Sequence, residues 1–267
     1  MTLVARIAPP FLFGRRRALL LIERNLLVYR RTWLVIVSGF FEPLFYLFSI
    51  GIGLGQLVGG VPGPNGRLID YTAFVAPALL ASSAMNGAIY DSTFNIFFKL
   101  KFAKTYDAIL STPVGATDVA LGEIGWALLR GTLYASAFFV VMLLMGLIRS
   151  PLGLLAVPAA LLIGYAFAGV GMAVTPFMRS WQDFDLVQMA ILPLFLFSAT
   201  FYPLSTYPQA LQLLIELTPL YHGVALMRGL TLGSVGPGTL LDVAYLAVMG
   251  SIGLAITGRR LHHLLLK

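Results

Sequence analysis

After residue 32 the chain returns six times to an apolar stretch, at about 33–57, 71–89, 124–148, 152–177, 186–204 and 240–257. A helix crosses a bilayer's hydrocarbon core with roughly 20 predominantly apolar residues. Because backbone groups there must bond among themselves, each stretch is read as a helix. Composition closes off a soluble alternative: 58% of the 267 residues are hydrophobic and 11% charged, whereas a soluble domain carries about 25% charged residues to cover its surface. The expected fold is an all-α polytopic membrane protein with six transmembrane helices.

The net charge of +7 does not point to nucleic acid, because the basic residues cluster at the front of the chain instead of interleaving with aromatics on one face. A lipid bilayer is the expected partner. Cysteine is absent, which excludes disulfides, thiolate metal sites and thiol nucleophiles. The short apolar stretch 7–13 precedes Arg15, Arg16 and Arg17, an inversion of the order in a cleavable signal peptide, so the first spanning helix is expected to direct insertion.

Residues 15–31 read as an amphipathic helix. Arg16, Glu23 and Arg30 share one row beside Arg17, Arg24 and Arg31, with Leu19, Ile22, Leu26 and Tyr29 opposite. Leu20 and Leu27 sit among the arginines, and Asn25 interrupts the apolar arc. It is expected to lie in the cytoplasmic interface; the plainer reading is a positive-inside signal. With alternate loops on opposite sides, fourteen Lys and Arg fall with the termini, and only Arg67, Arg149 and Arg228 fall opposite. Both termini are therefore expected inside the plasma (inner) membrane. The divisions are a cytoplasmic segment 1–32, a six-span domain 33–258 and a basic tail 259–267. The longest polar insert follows the second span, from residue 90 to 122.

Residues 207–232 hold two helical patterns, each too short to cross, separated at Thr218-Pro219. Pro208 suits a first turn and Pro219 a break, so a re-entrant hairpin is expected on the outer side. No internal repeat supports an inverted-repeat carrier.

Three stretches carry a family resemblance: KTYDAILSTPVGATDVALGE at 104–123, FSATFYPLSTYP at 197–208 and ELTPLYHGVALMRGL at 216–230. Together they resemble the permease subunit of type-2 ABC exporters, the family of daunorubicin-type drug exporters and nodulation lipooligosaccharide exporters. FEPLFYLFSIGIGLG at 41–55 is most similar to the lipooligosaccharide branch. The resemblance implies export of a glycolipid, lipid-linked glycan or hydrophobic drug by two permeases, a homodimer or a pair of paralogues, with two cytoplasmic ABC ATPase subunits. The chain has no GxxxxGK[ST] segment to cradle phosphates, so Mg-ATP belongs to the partner subunit, and this chain is expected to bind no cofactor and to be no enzyme by itself.

In the coupling region, 99–122, the resemblance singles out Thr105, Tyr106, Asp107, Ile109, Leu110, Thr112 and Pro113. A short rigid element must pass force from an ATPase to the membrane helices. Asp107 would accept a bond from the ATPase, Ile109 and Leu110 would enter a groove, and Pro113 would stop the helix; a solvated loop is the alternative. In the hairpin it marks Pro219, Tyr221, His222 and Arg228.

Glu42 stands inside the first span, where an ionised group needs a cavity or a partner. Its role is either functional or to compensate the backbone opened by Pro43, with Glu123 and Arg130 as candidate neighbours. Tyr46, Phe197, Phe201 and Tyr202 would line an amphiphile's route with it, or face lipid. Gly51, Gly53, Gly55 and Gly59 offer two GxxxG spacings for close helix contact. His222 is read as a hydrogen-bonding residue, with no metal site proposed. Asp183 and Asp185 form the one tight acidic pair; they carry the rival reading, a membrane-embedded lipid-substrate transferase, against a solvated turn.

Overall fold

A computed structural model describes residues 10–31, 33–63 and 68–265. Of the sequence expectations, those resting on Arg6, Arg67, Lys267 and the rest of 1–9 fall outside it. The chain is mostly helical: α1 (Pro10–Arg31), α2 (Trp33–Tyr46), α3 (Gly55–Val58), α4 (Tyr71–Tyr90), α5 (Thr105–Leu110) and α6 (Ala116–Leu144), then α7 (Ala156–Val174), α8 (Asp183–Leu196), α9 (Gln209–Glu216), α10 (Pro219–Leu232) and α11 (Pro237–Leu265). A small antiparallel pair, β1 (Gly60–Pro62) and β2 (Leu68–Asp70), joins α3 to α4 with Val61 opposite Ile69.

Among the described residues, five helical stretches are long and apolar enough to span a membrane: Gly39–Val58, Tyr71–Phe102, Asp118–Leu144, Pro151–Phe177 and Pro237–Thr257. A sixth is counted if α9 and α10, bent by 86° at their junction, form one broken span. Helix α4 is the hub. Its alanines at 73, 76, 78, 81, 84 and 88 are buried, and small side chains let neighbouring backbones approach where lipid supplies no hydrophobic drive. Outer helices instead show large apolar side chains to their surroundings, such as Leu133, Val140, Leu143 and Leu144 on α6.

Two boundaries differ from the sequence reading. The second span does not end at residue 89: helix continues through π-helical turns at Asp91–Asn95 and Phe98–Phe102. Its polar residues are satisfied within the fold, since the Ser92 and Thr93 hydroxyls donate to the Ala88 and Ile89 carbonyls at 2.7 and 2.6 Å and Asp91 meets Arg130. The fifth span, expected over 186–204, is the 14-residue α8. At 1.5 Å per residue it is about 21 Å long, short of a core of about 30 Å. It ends where Phe197 leaves helical geometry at φ −109°, ψ 28°, and Ala199 at φ 54° keeps the chain from resuming a right-handed helix. Residues 197–202 cross this level as bends.

Helix α1 packs along α6. Ala18, Leu21 and Asn25 are buried while Leu19 and Leu26 are exposed. The buried stripe thus runs through Asn25, which the sequence reading took as an interruption. Gly122 and Gly125 of α6 make the contact possible: a Cβ on Gly122 would lie 2.7 Å from Leu21 Cβ, and one on Gly125 2.9 Å from Ile22 Cδ1.

The closest helix crossing joins α7 and α11. A Cβ on Gly169 would stand 2.6 Å from the Gly250 carbonyl oxygen, and one on Gly253 2.4 Å from the Gly169 carbonyl carbon. Of the glycines in the two GxxxG spacings, Gly51 and Gly55 do meet α4, at Thr72, whereas Gly59 is a turn residue at φ 70°. Gly169→Ala is expected to destabilise the detergent-solubilised protein by about 1–3 kcal/mol through overpacking. Gly131→Ala, where a Cβ meets nothing within 4 Å, leaves the melting temperature unchanged or raises it; equal melting of both variants would contradict this crossing.

Candidate functional site

Helix α5 stands at the end of the bundle that also holds α1 and the start of α6. Lys104 turns the chain into it in a left-handed conformation, φ 45°. The second residue, Tyr106, is 1% exposed and packs with Leu21, Ile96, Val119, Ile124 and Met172. Burial first, and then the Glu123 carboxylate beside it, push the phenol's ionisation well above its usual range. Asp107 lies in the first turn, where a carboxylate suits the helix dipole, and is exposed. At the far end Ser111 and Thr112 donate to the Ala108 and Ile109 carbonyls at 2.7 and 2.5 Å. The Pro113 carbonyl accepts from the Arg17 guanidinium of α1.

Asp107, Thr112 and Pro113 therefore face outward, and Thr105, Ile109 and Leu110 are half-buried. Tyr106 points into the chain and anchors α5. Ile109 packs in part against that same internal cluster.

Beneath α5 lies a cluster of charges that the sequence reading did not assemble. Glu123 on α6 is 3% exposed. It accepts from Lys99 Nζ at 2.7 and 2.9 Å and from Asn25 Nδ2 at 3.2 Å. Lys99 also donates to Asn25 Oδ1 at 3.3 Å. About two helical turns further along α6, Arg130 pairs with Asp91 and donates to the Tyr29 hydroxyl at 3.1 Å. Its guanidinium sits 5.3 and 5.9 Å from the Tyr29 and Tyr134 rings. Two cations and two anions thus compensate one another across α1, α4 with its extension, and α6. Unpaired, each would cost several kcal/mol at this depth. A signal was present in the sequence: four ionisable groups in or beside spans sum to zero charge. Their mutual distances were not.

Glu42 does not meet either of its candidate neighbours. Its carboxylate accepts from Asn86 Nδ2 on α4 at 3.4 Å, in a small cleft that Tyr46, Ser82 and Phe195 also line. Glu42 is exposed on α2, beside exposed Phe41, Phe45 and Tyr46. Tyr46 contacts Phe195 at 5.5 Å between ring centres, and Phe195 contacts Phe201 at 5.2 Å. Phe197 and Tyr202 are exposed, but Phe201 is 8% exposed and fills the interior, so it does not line a route on this chain's surface.

At the opposite end, Pro219 begins α10 and Tyr221 is half-buried. His222 Nδ1 lies 2.7 Å from Asp242 Oδ1 of α11, and its ring stacks on Tyr245 at 4.1 Å. Arg228 is buried over the Phe74 ring at 3.6 Å. It donates to the carbonyls of Phe74 and Thr200 at 3.0 and 2.9 Å, stapling α10 to α4 and to the bends after α8. Asp183 accepts from the backbone amides of Arg179 and Ser180 at 2.5 and 3.1 Å. Those two amides hold its carboxyl below the usual range. It closes the turn into α8, so the acidic pair is not two open ligands.

The sequence profile of the family described as ABC-2 type transporter matches residues 16–232. Nodulation protein J of Rhizobium meliloti (strain 1021) is 33% identical over 214 residues, 79% of this chain and 80% of that protein. Nodulation protein J of Rhizobium leguminosarum bv. trifolii is 34% identical over 213 residues, 79% of each. That of Rhizobium leguminosarum bv. viciae is 31% identical over 245 residues, 90% of this chain and 93% of it.

Breaking one half of the Asp91–Arg130 pair strands a buried charge. Asp91→Leu or Arg130→Met alone is expected to destabilise the protein by about 3–5 kcal/mol, and the double replacement by clearly less than their sum. Unfolding in mild detergent measures the cycle; additive losses would contradict the pairing.

Proposed function

The chain belongs to the ABC-2 type transporter family, and on that premise we propose that it is the permease half of an ATP-driven exporter of an amphiphile. It is a membrane component with several spanning helices. A second permease copy and two ATPase subunits complete the machine, and Mg-ATP is bound and hydrolysed in those subunits. Both termini face the cytoplasm, with α1 along the inner interface and α9–α10 as a re-entrant hairpin on the far side.

One observation carries the reading. Helix α5 presents Asp107 outward while Tyr106 roots it against Glu123, so a push on its exposed face reaches α1, α4 and α6 through side chains already in contact. Closure of an ATPase dimer around nucleotide supplies such a push, and two packings of the permease respond to it. The cytoplasmic side then follows from the excess of Lys and Arg around α1, Lys99, Lys101 and Lys104.

The cargo class rests on relatives named Nodulation protein J and on the exposed face of α2. Phe41, Phe45 and Tyr46 offer rings for an acyl chain or a sugar face. An exposed Glu42 on a spanning helix calls for a polar partner, which a second permease copy or a glycan headgroup provides. A lipooligosaccharide or a related glycolipid meets both needs. A homodimer is the simpler assembly, the α2 faces of two copies enclosing the path.

Asp107→Arg is expected to leave folding intact and to lower ATPase recovery with the permease at least tenfold, with export falling in parallel; unaltered association and export would remove α5 from coupling. Orientation is testable because the chain has no thiol. A single cysteine at Ser234 should react with an impermeant maleimide on intact cells and one at Ser111 only after lysis, and the reverse pattern would invert the topology.

A further inference from the structure

A groove of about 590 Å³ runs between α8 on one side and α4, α7 and α11 on the other. Helix α8 lines it with Leu186, Val187, Ala190, Ile191 and Leu194, the 3- and 4-residue spacing of one helix face. Val170 and Val174 of α7 form part of the facing wall. Arg179 and Asp183 mark one end, at the level of the loop between α7 and α8, and Pro219 lies at the other. Asp183 is committed to backbone amides. Arg179 is exposed and, among the described residues, makes no ion pair.

Dimensions select the occupant. From Asp183 to Leu194 a helix rises about 16 Å, half of a hydrocarbon core of about 30 Å, hence one leaflet. A volume of about 590 Å³ spread over that length gives a mean cross-section of about 37 Å², roughly a third to a half that of a helix with its side chains, about 10–12 Å across. A second copy's helix does not fit, whereas an extended alkyl chain does. Water has too few polar partners in such a groove, and an empty one forfeits the contacts of its lining atoms.

We infer that this groove holds an acyl chain of a phospholipid from the leaflet beside α1, with the lipid's phosphate on Arg179. The site lies behind α8 and away from the exposed face of α2. It goes beyond the export reading: the lipid is a resident component that supports α8, whose own helix is too short to cross.

The test is photolabelling of the full-length protein in liposomes containing a phosphatidylglycerol with a mid-chain diazirine, followed by peptide mapping. Adducts are expected to concentrate on residues 186–194 and 170–174, several-fold above those on the outward residues 143–144 of α6. Ala190→Trp and Val170→Trp, which fill the groove from opposite walls, should each lower that labelling at least fivefold, while Leu143→Trp leaves it unchanged. Arg179→Ala, at an exposed position, should lower it about fivefold, as loss of one basic contact with lipid phosphate does, but leave labelling by a diazirine diacylglycerol unaltered. Uniform labelling of α8 and α6, indifference to both tryptophans, or disulfide linkage between two copies bearing Ala190→Cys would overturn the site. Equal phosphatidylglycerol labelling with and without Arg179 would overturn the phosphate contact.

Discussion

Two buried ion pairs, Lys99 with Glu123 and Arg130 with Asp91, fix how this chain is put together at its α5 end. A bilayer gives helices no hydrophobic reason to associate, so packing and polar contact must decide which faces meet. Here the charges decide it. Glu123 and Arg130 lie on one helix, α6, and their partners Asp91 and Lys99 lie on the continuation of α4. Asn25 and Tyr29 bring α1 to the same line. The four charged groups of this end of the bundle are paired with one another, which is why the helix of α4 can run on past the hydrophobic limit into π-helical turns that carry charge.

That arrangement gives α5 a foundation. A six-residue helix has little stability of its own, because nucleation is costly and few bonds repay it. Tyr106 supplies what the helix lacks, a large side chain sunk between α1 and α6 beside Glu123. At the other end of the molecule α4, α10 and the bends after α8 are held together by one residue, Arg228, which reaches carbonyls of two different elements. Between the ends, α7 and α11 cross with no side chain between them at Gly169, Gly250 and Gly253. Helix α7 packs closely on both α4 and α11, while α2 and α8 present exposed aromatic and apolar faces.

The spans were legible in the sequence wherever hydrophobicity and length agreed, as in α6, α7 and α11. They were not legible where polar side chains are satisfied inside the fold. Asp91, Ser92 and Thr93 read as the end of a span, because a sequence does not display the carbonyls that accept from the two hydroxyls or the guanidinium that donates to Asp91. Residues 186–204 read as a full span for the converse reason: apolar composition persists through 197–202, and nothing in it announces the positive φ at Ala199. The break at Pro219 was plain, since proline there removes a donor and fixes the turn. For the coupling segment the sequence located the element and its outward Asp107, but six residues do not reveal which side of a short helix will be buried. Tyr106, named with the same segment, is buried, and Ile109 is half-buried against the same internal cluster. Asn25 shows the same limit on α1, where a polar residue in the middle of the packed stripe marks its most specific contact.

The central claim is that this permease works only as part of a complex whose energy comes from a separate ATPase. Affinity purification of the chain from native membranes, with nucleotide hydrolysis assayed on the recovered material, tests it most directly. The account predicts an ABC ATPase in equal stoichiometry with the permease and hydrolysis by that complex. Recovery of the chain alone in mild detergent, from cells that express the candidate ATPase, would contradict it.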